Sequence, residues 1–372
     1  MKAGDRYFRS PAAPDHGEVS AIGVLVANLG TPAAPTAKGL RPFLAEFLAD
    51  PRVIELPRLA WWLLLHGIIL RTRPAKSAAL YRKVWSDEGS PLLVIARRQA
   101  AGIAERLLGR LRRPVHVALG MRYGEPSIAA ALRGLDAEGC RKLLVLPLYP
   151  QYSGPTIGST FDAVTAELRR WRWVPELRTV NGYHDDPRYV AALAASIAEL
   201  WRHGGEPDKL VFSFHGMPRR YFEGGDPYFC LCQKTARLVA ESLGLGEDRW
   251  IVSFQSLFGR EEWLRPYTDA TMRALPGLGA KRVDIVSPAF SADCLETLEE
   301  LDGLNREFFM HAGGERYRYI PCLNDRPDHL GFLAELALEN LEGWDAAPGV
   351  EPAAEAAAAA RRAEAMRTRP PG

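Results

Sequence analysis

His215, Glu296 and Glu300 are the residues of this chain whose types and placement point most directly to chemistry. His215 stands in SFHGMP, where Gly216 and Pro218 oblige the chain to turn after an apolar run. A neutral imidazole there can accept a proton or bind a borderline divalent metal, and its ordinary pKa of about 6.5 suits either task. A histidine merely satisfied by backbone groups at a strand end is the competing reading. Glu296 lies in FSADCLETLEEL, at the start of a predicted helix. Asp293-x-x-Glu296 has the spacing of a capping box, in which both carboxylates would satisfy helix-end amides. Glu300 falls one turn beyond Glu296 on the same face, so the alternative is a column of acids able to pass protons or a cation. Glu299 is expected to face solvent.

The elements that must position these groups read as buried strands. Three apolar segments of the first half run into loops of Gly, Pro, Ser or Thr: AIGVLVANLGTP (21–32), VHVALGMRYGEPSIAAAL (115–132) and KLLVLPLYPQYSGPTIGST (142–160). Three more follow in the same order at 208–221, 248–268 and 281–300. Helical stretches such as 92–111 and 187–201 lie between them, giving the rhythm of a parallel, doubly wound sheet in each half. Ligands of such sheets bind beyond the carboxyl ends of the strands. The loops LGTP, RYGEP, YPQYSG, FHGMP, QSLFG and FSADCLE are therefore expected around one interdomain cleft.

The expected architecture is α/β, with two similar doubly wound parallel-sheet domains. Residues 1–20 form a tail, 21–182 the first domain, 183–330 the second domain carrying His215 and Glu296, 331–344 a terminal helix and 345–372 a loosely anchored, disordered tail. An insertion between Ala33 and Leu93 holds the apolar run LAWWLLLHGIIL (59–70) and the basic segment LRTRPAKSAALYRKVW. The first half offers no histidine or acid pair comparable to those of the second. That asymmetry suggests reactive groups in one domain and a partly apolar wall in the other, a cleft suited to a flat, apolar ligand.

Composition removes several classes. Of 372 residues, 47% are hydrophobic and 25% charged, enough apolar surface for two cores. The net charge of +2 carries no electrostatic footprint of a nucleic-acid binder. Five cysteines between Cys140 and Cys322 do not resemble a disulfide framework, and a reducing compartment is expected. The first twenty residues lack the apolar core of a secretory signal. The run at 59–70 is shorter than the ~20 apolar residues a spanning helix needs. The expectation is a cytoplasmic protein, peripheral to the inner membrane through residues 59–70. No G-x-G-x-x-G follows the first strand, and no P-loop, G-x-S-x-G, paired C-x-x-C or H-E-x-x-H occurs. Nucleotide cofactors, serine hydrolysis and the common zinc sites lose support.

In chain order, LVANLGTP, DEGSPL, RYGEPSI, LPLYPQYSG, FSFHGMP, GDPY, FQSLFG and FSADCLETLEEL resemble the successive motifs of the ferrochelatase family. The resemblance covers residues 21 to 330. It implies a class II chelatase fold, protoporphyrin IX in the interdomain cleft and Fe2+ as the second substrate, without nucleotide or required cofactor. It implies further that His215 matches the family's active-site histidine and Glu296 its active-site glutamate, as metal ligand or proton acceptor. Pocket positions carried over by motif are Leu29, Ser90, Arg122, Tyr123, Tyr149, Trp263 and Phe290. Arg73 and Lys76 fall in the basic stretch that in relatives meets the propionates. Mitochondrial relatives have SDHIETL where this chain has ADCLETL, so Cys294 replaces a histidine, as in proteobacterial members.

Metal insertion must remove two protons from pyrrole nitrogens and bend a ring that prefers to be flat. His215 is read as the principal proton acceptor or first metal contact, with Glu296 and Glu300 handling the cation or relaying protons. Related readings are coproporphyrin III as the ring, or cobalt insertion into another tetrapyrrole. The lip of Trp61, Trp62, Leu63 to Leu65, Ile68 and Ile69 favours the less polar protoporphyrin. A tetrapyrrole or metal carrier is the reading from a different class, and the chain is expected as a monomer or homodimer. Some relatives hold a 2Fe–2S cluster on four cysteines, often near the C-terminus, whereas no cysteine follows Cys322 here. The protein as isolated is expected to lack such a cluster. Acid-labile sulfide assay and visible absorption check this, and stoichiometric sulfide with charge-transfer bands would overturn it.

Overall fold

The computed structural model describes residues 19–259, 261–345 and 352–367. Eight strands form two four-stranded, all-parallel sheets. In the first, β1 (Ala21–Gly30), β2 (Val115–Tyr123), β3 (Cys140–Pro147) and β4 (Glu176–Thr179) lie in the order β2-β1-β3-β4. In the second, β5 (Lys209–His215), β6 (Trp250–Gln255), β7 (Arg282–Val286) and β8 (Arg316–Ile320) repeat the pattern as β6-β5-β7-β8. The central strands are near-continuous apolar runs, as strands covered on both faces should be. Gly30 closes β1 with φ of 109°, and a Cβ there would meet the Tyr123 carbonyl oxygen at 1.8 Å. Only glycine lets the NLG loop lie against the RYGEP loop.

The outer strands β4 and β8 escape the sequence pattern. Both are short sheet edges, ELRT and RYRYI, whose charged side chains keep one side toward water.

Two helices decide how the sheets sit together. Pro187–Gly204 and Pro327–Leu341 contribute Tyr189, Leu193, Ile197, Phe332, Leu333 and Leu336 to a core that also holds Ile22, Val24 and Val26 of β1 and Leu210, Phe212 and Phe214 of β5. The two separate cores expected from the sequence are thus one continuous core, with smaller clusters outside it. The terminal helix begins at Pro327, four residues before the expected 331, because Pro327 is a favourable first helical residue. It packs on the helix Pro91–Leu107, where a Cβ on Gly102 would lie 2.5 Å from Leu330. Within the tail expected to be loosely anchored, the described residues are held in place, and residues 346–351 and 368–372 lie outside the described residues. Asp345 accepts the Arg112 and Arg113 amides at 2.6 and 2.9 Å, and a helix spans Pro352–Arg367 with Glu355 3.0 Å from Arg113. Most of the expected N-terminal tail, residues 1–18, lies outside the described residues.

The apolar insertion folds as the helix Arg58–Leu64, a π-helical turn Leu65–Ile69 and the long helix Leu70–Val84. Its side chains divide by face. Leu59, Trp62, Leu63, Leu64 and Ile68 are exposed, whereas Trp61 and Leu65 are buried against Leu40, Phe43, Leu44 and Leu48. The Trp61 indole donates to the Leu48 carbonyl at 2.6 Å. Trp61, expected in the exposed lip, is instead its anchor, because i and i+1 on a helix face different directions. Trp61→Ala should therefore lower unfolding free energy by about 3–5 kcal/mol, while Trp62→Ser stays within about 0.5 kcal/mol. Denaturant titration of the two variants checks the split.

Candidate active site

His215 ends β5, and its ring sits 6.5 Å from that of Trp263 and 6.4 Å from that of Phe290, centroid to centroid. Nδ1 lies 2.6 Å from the Gly216 carbonyl oxygen. A carbonyl can only accept, so Nδ1 carries the proton and donates, leaving the Nε2 lone pair for a proton or a metal. Gly216 is itself pinned, its amide donating to the Gln255 carbonyl at 2.8 Å. Trp263 is buried, and its indole N–H has no hydrogen-bond partner among the described residues.

Glu296 and Glu300 lie on a π-helix, Glu296–Asn305. Such helices are rare and concentrate at functional sites. With a wider turn than an α-helix, it keeps residues four apart on one face while Glu299 turns aside. Glu299 does not simply face solvent, as the sequence suggested: Lys83 of the lip helix pairs with it at 2.8 Å. The capping box is absent too. Asp293 spends its carboxylate on Thr297, Tyr319, Asn324 and the Cys322 amide, and no side chain caps the π-helix. Glu296 caps no helix end and instead lies against the Cys294 thiol.

Glu300 is half-buried and held by Ser256, whose amide and hydroxyl donate to its two oxygens at 2.8 and 2.5 Å. Ser256 has φ of 65°, a left-handed conformation costing a non-glycine residue roughly 1–2 kcal/mol. That backbone turns both donors toward one carboxylate. Burial pushes the Glu300 carboxyl up, against the Ser256 hydrogen bonds and the nearby His215. Cys294, the residue in place of a histidine, is fully buried, and burial with the Glu296 charge beside it pushes its thiol well above the usual range. A thiol so held is a poor metal ligand. The same charge reaches Tyr81, a buried phenol on the lip helix that the sequence pattern did not single out.

The first domain gathers a second polar group around Asp50, another residue without a sequence signal. Asp50 accepts from Arg122, from the Tyr123 hydroxyl at 2.8 Å, the Ser159 hydroxyl at 2.5 Å and the Arg52 amide at 2.8 Å. Burial opposes its charge, yet these hydrogen bonds and the Arg122 guanidinium hold it below the usual carboxylate range. Tyr123 is fully buried, edge-on to Phe47. It supports the cleft wall and does not line it. Ser90 is likewise buried, accepting from Thr31 at 2.7 Å. Tyr149 is half-buried, with a buried hydroxyl that no described residue partners. Leu29 packs against the cluster of Leu92, Ala292 and Cys294, beside Phe290, so both domains meet at this wall. Arg73 and Lys76 are exposed on the lip helix, with the Arg73 guanidinium 4.3 Å from the Phe258 ring centroid across the domain boundary. Among the described residues no three His, Cys, Asp or Glu side chains converge as a metal cage.

Residues 21–341 match the family model for ferrochelatase. The chain is 59% identical to the ferrochelatase of Thioalkalivibrio sulfidiphilus over 94% of its length and 96% of that protein. It is 54% identical to the ferrochelatase of Hydrogenovibrio crunogenus, covering 92% of each. Among solved structures, SirB from Bacillus subtilis with Fe3+ aligns with a TM-score of 0.52 at 12% identity, over 87% of this chain and 97% of that one, a likeness of fold.

Ser256→Ala removes one donor to the Glu300 carboxylate and so disfavours its charged form. If Glu300 must be ionised to accept a proton, the acid limb of the turnover profile moves to higher pH. Metal insertion measured across pH checks the direction, and a limb unmoved or moved downward contradicts it.

Proposed function

The chain belongs to the ferrochelatase family, and we infer that it inserts Fe2+ into protoporphyrin IX, the closing step of haem biosynthesis. His215 carries the reading: a half-buried imidazole whose tautomer is fixed by Gly216, whose Nε2 lone pair is free, and whose ring neighbours those of Trp263 and Phe290. Insertion releases two pyrrole protons as the metal–nitrogen bonds form. The Nε2 lone pair accepts the first, hands it to Glu300 and is then free to accept the second. Glu300, its proton affinity raised by burial, takes that proton and passes charge outward along the π-helix. Glu296, one turn nearer the cleft, meets the incoming cation.

Apolar surfaces from both domains suit a flat macrocycle. Leu29 and Phe290 supply one wall; Trp62, Leu63, Leu64 and Ile68 form an exposed apolar lip beside it. Arg73 and Lys76, on the helix that continues the lip, suit the two propionates of the ring. The apolar lip favours vinyl over carboxylate substituents, hence protoporphyrin over coproporphyrin. Exposed apolar side chains beside basic ones also suit reversible contact with a membrane surface, and no described helix is long and apolar enough to cross one. A carrier would need neither the oriented base nor the pinned acid.

His215→Ala should fold, with stability changed by about 1 kcal/mol or less, and should still quench on porphyrin binding. Loss of the base should cost roughly 10²–10⁴-fold in turnover with Fe2+ or Zn2+. An anaerobic insertion assay with protoporphyrin measures this. Near-normal turnover by a folded His215→Ala protein would move the base to Glu296.

A further inference from the structure

Gln99 is a glutamine with no exposed surface, in the helix Pro91–Leu107 of the first domain. A buried amide is costly unless its hydrogens find acceptors. Both acceptors of Gln99 lie in the second domain: Nε2 donates to the Ser291 carbonyl at 2.9 Å and the Asn324 carbonyl at 3.0 Å. Two carbonyl partners also settle which end of the amide faces them. Ser291 directly follows Phe290 and lies two residues before Asp293, in the loop that leads from β7 to Glu296.

The connection continues inward. Asn324 donates its amide to the Ser291 carbonyl at 3.0 Å and exchanges two side-chain hydrogen bonds with Asp293, Asp293 N to Asn324 Oδ1 at 2.8 Å and Asn324 Nδ2 to Asp293 Oδ2 at 2.7 Å. It does so from φ of 48°, a left-handed conformation that asparagine tolerates better than most residues. Asp293 then accepts the Thr297 hydroxyl at 3.1 Å, and that hydroxyl accepts the Cys294 amide at 2.9 Å. Thr297 is the neighbour of Glu296. From the terminal helix, His329 donates Nδ1–H to the same Asn324 carbonyl at 2.8 Å. Burial lowers the pKa of His329 to about 4, so it stays a neutral donor.

We propose that Gln99, acting through Asn324 and Asp293, is a positioning residue for metal insertion: it sets, from the first domain, where Phe290 and Glu296 of the second domain stand. The proposal rests on the reading of Glu296 as a group that meets the metal. A bond that only stapled the domains would act on stability. A positioning bond acts on turnover, since displacement of a reacting group by an ångström can cost about 100-fold.

The test is anaerobic Zn2+ and Fe2+ insertion into protoporphyrin by the full chain. Gln99→Met keeps the volume, and each carbonyl it abandons retains another donor, so folding should survive. The expected result is kcat lower by roughly ten- to hundred-fold with KM for protoporphyrin within about threefold of the unaltered protein. Asn324→Gly, which accommodates the left-handed φ, deletes the side-chain link to Asp293 and should give the same split; it decides the matter if Gln99→Met does not fold. The double variant should be no worse than about twofold below the weaker single, because both act along one connection. Unchanged kcat in folded Gln99→Met or Asn324→Gly, or losses that multiply in the double variant, would overturn the proposal. Glu296→Gln is measured alongside. If it keeps full turnover, the role given to Glu296 fails and this proposal with it; if it loses turnover while Gln99→Met and Asn324→Gly do not, only the positioning role fails.

Discussion

Leu333, Leu336 and Ala337 of the terminal helix are packed in the same core as Val24 of the first sheet and Phe212 of the second. Parallel sheets need cover on both faces, and here one layer of helices covers a face of each sheet at once. Separating the sheets would expose apolar surface from both, at about 25 cal/mol for every Å² uncovered. The sheets are therefore held in one relative setting. Their carboxyl ends, and the loops that follow, depend on that setting for everything they do. Smaller polar links lie on the same boundary: Asp226 with the Gly154 amide at 2.7 Å, Tyr221 with the Val53 carbonyl at 3.0 Å, Lys83 with Glu299.

Within that frame the site is organised by where carboxylates are satisfied. Asp50 and Asp293 are both buried and both saturated with donors, Asp50 below the Arg122–Tyr123 corner and Asp293 below the start of the π-helix. Such groups hold backbone in place, and removing their partners would strand charge in a poorly solvated site. Glu300 differs. Its donors come from one residue, and burial outweighs them and pushes its carboxyl up. The buried acids thus differ in how many residues donate to each.

Strand-end motifs were legible because buried parallel strands are apolar runs and their loops need Gly and Pro. Three strands of each sheet follow those runs along the chain, β4 and β8 are hidden by their charged edges, and the lateral orders β2-β1-β3-β4 and β6-β5-β7-β8 are set by the tertiary structure. His215 was legible for the same reason: it is the last residue of such a run. Asp50, Tyr81 and Gln99 were not. Tyr81 and Gln99 sit among ordinary helical residues and Asp50 directly follows a helix, and nothing in their local spacing announces a partner many positions away.

The amino-acid sequence by itself determined the α/β class and the recurrence of buried strands along the chain, and it marked His215, Glu296 and Glu300 as candidates for chemistry, because periodicity and turn residues are local properties. Tertiary structure alone decided that the capping box does not form. Asp293-x-x-Glu296 has the spacing of a helix cap, yet Asn324, Tyr319 and Thr297 claim Asp293 first, and the helix that begins at Glu296 is a π-helix. In the lip, adjacent tryptophans part company, Trp61 into the core and Trp62 toward water. Competition among hydrogen-bond partners and the direction of a helix face are settled by neighbours distant in the chain, and local spacing carries no record of them.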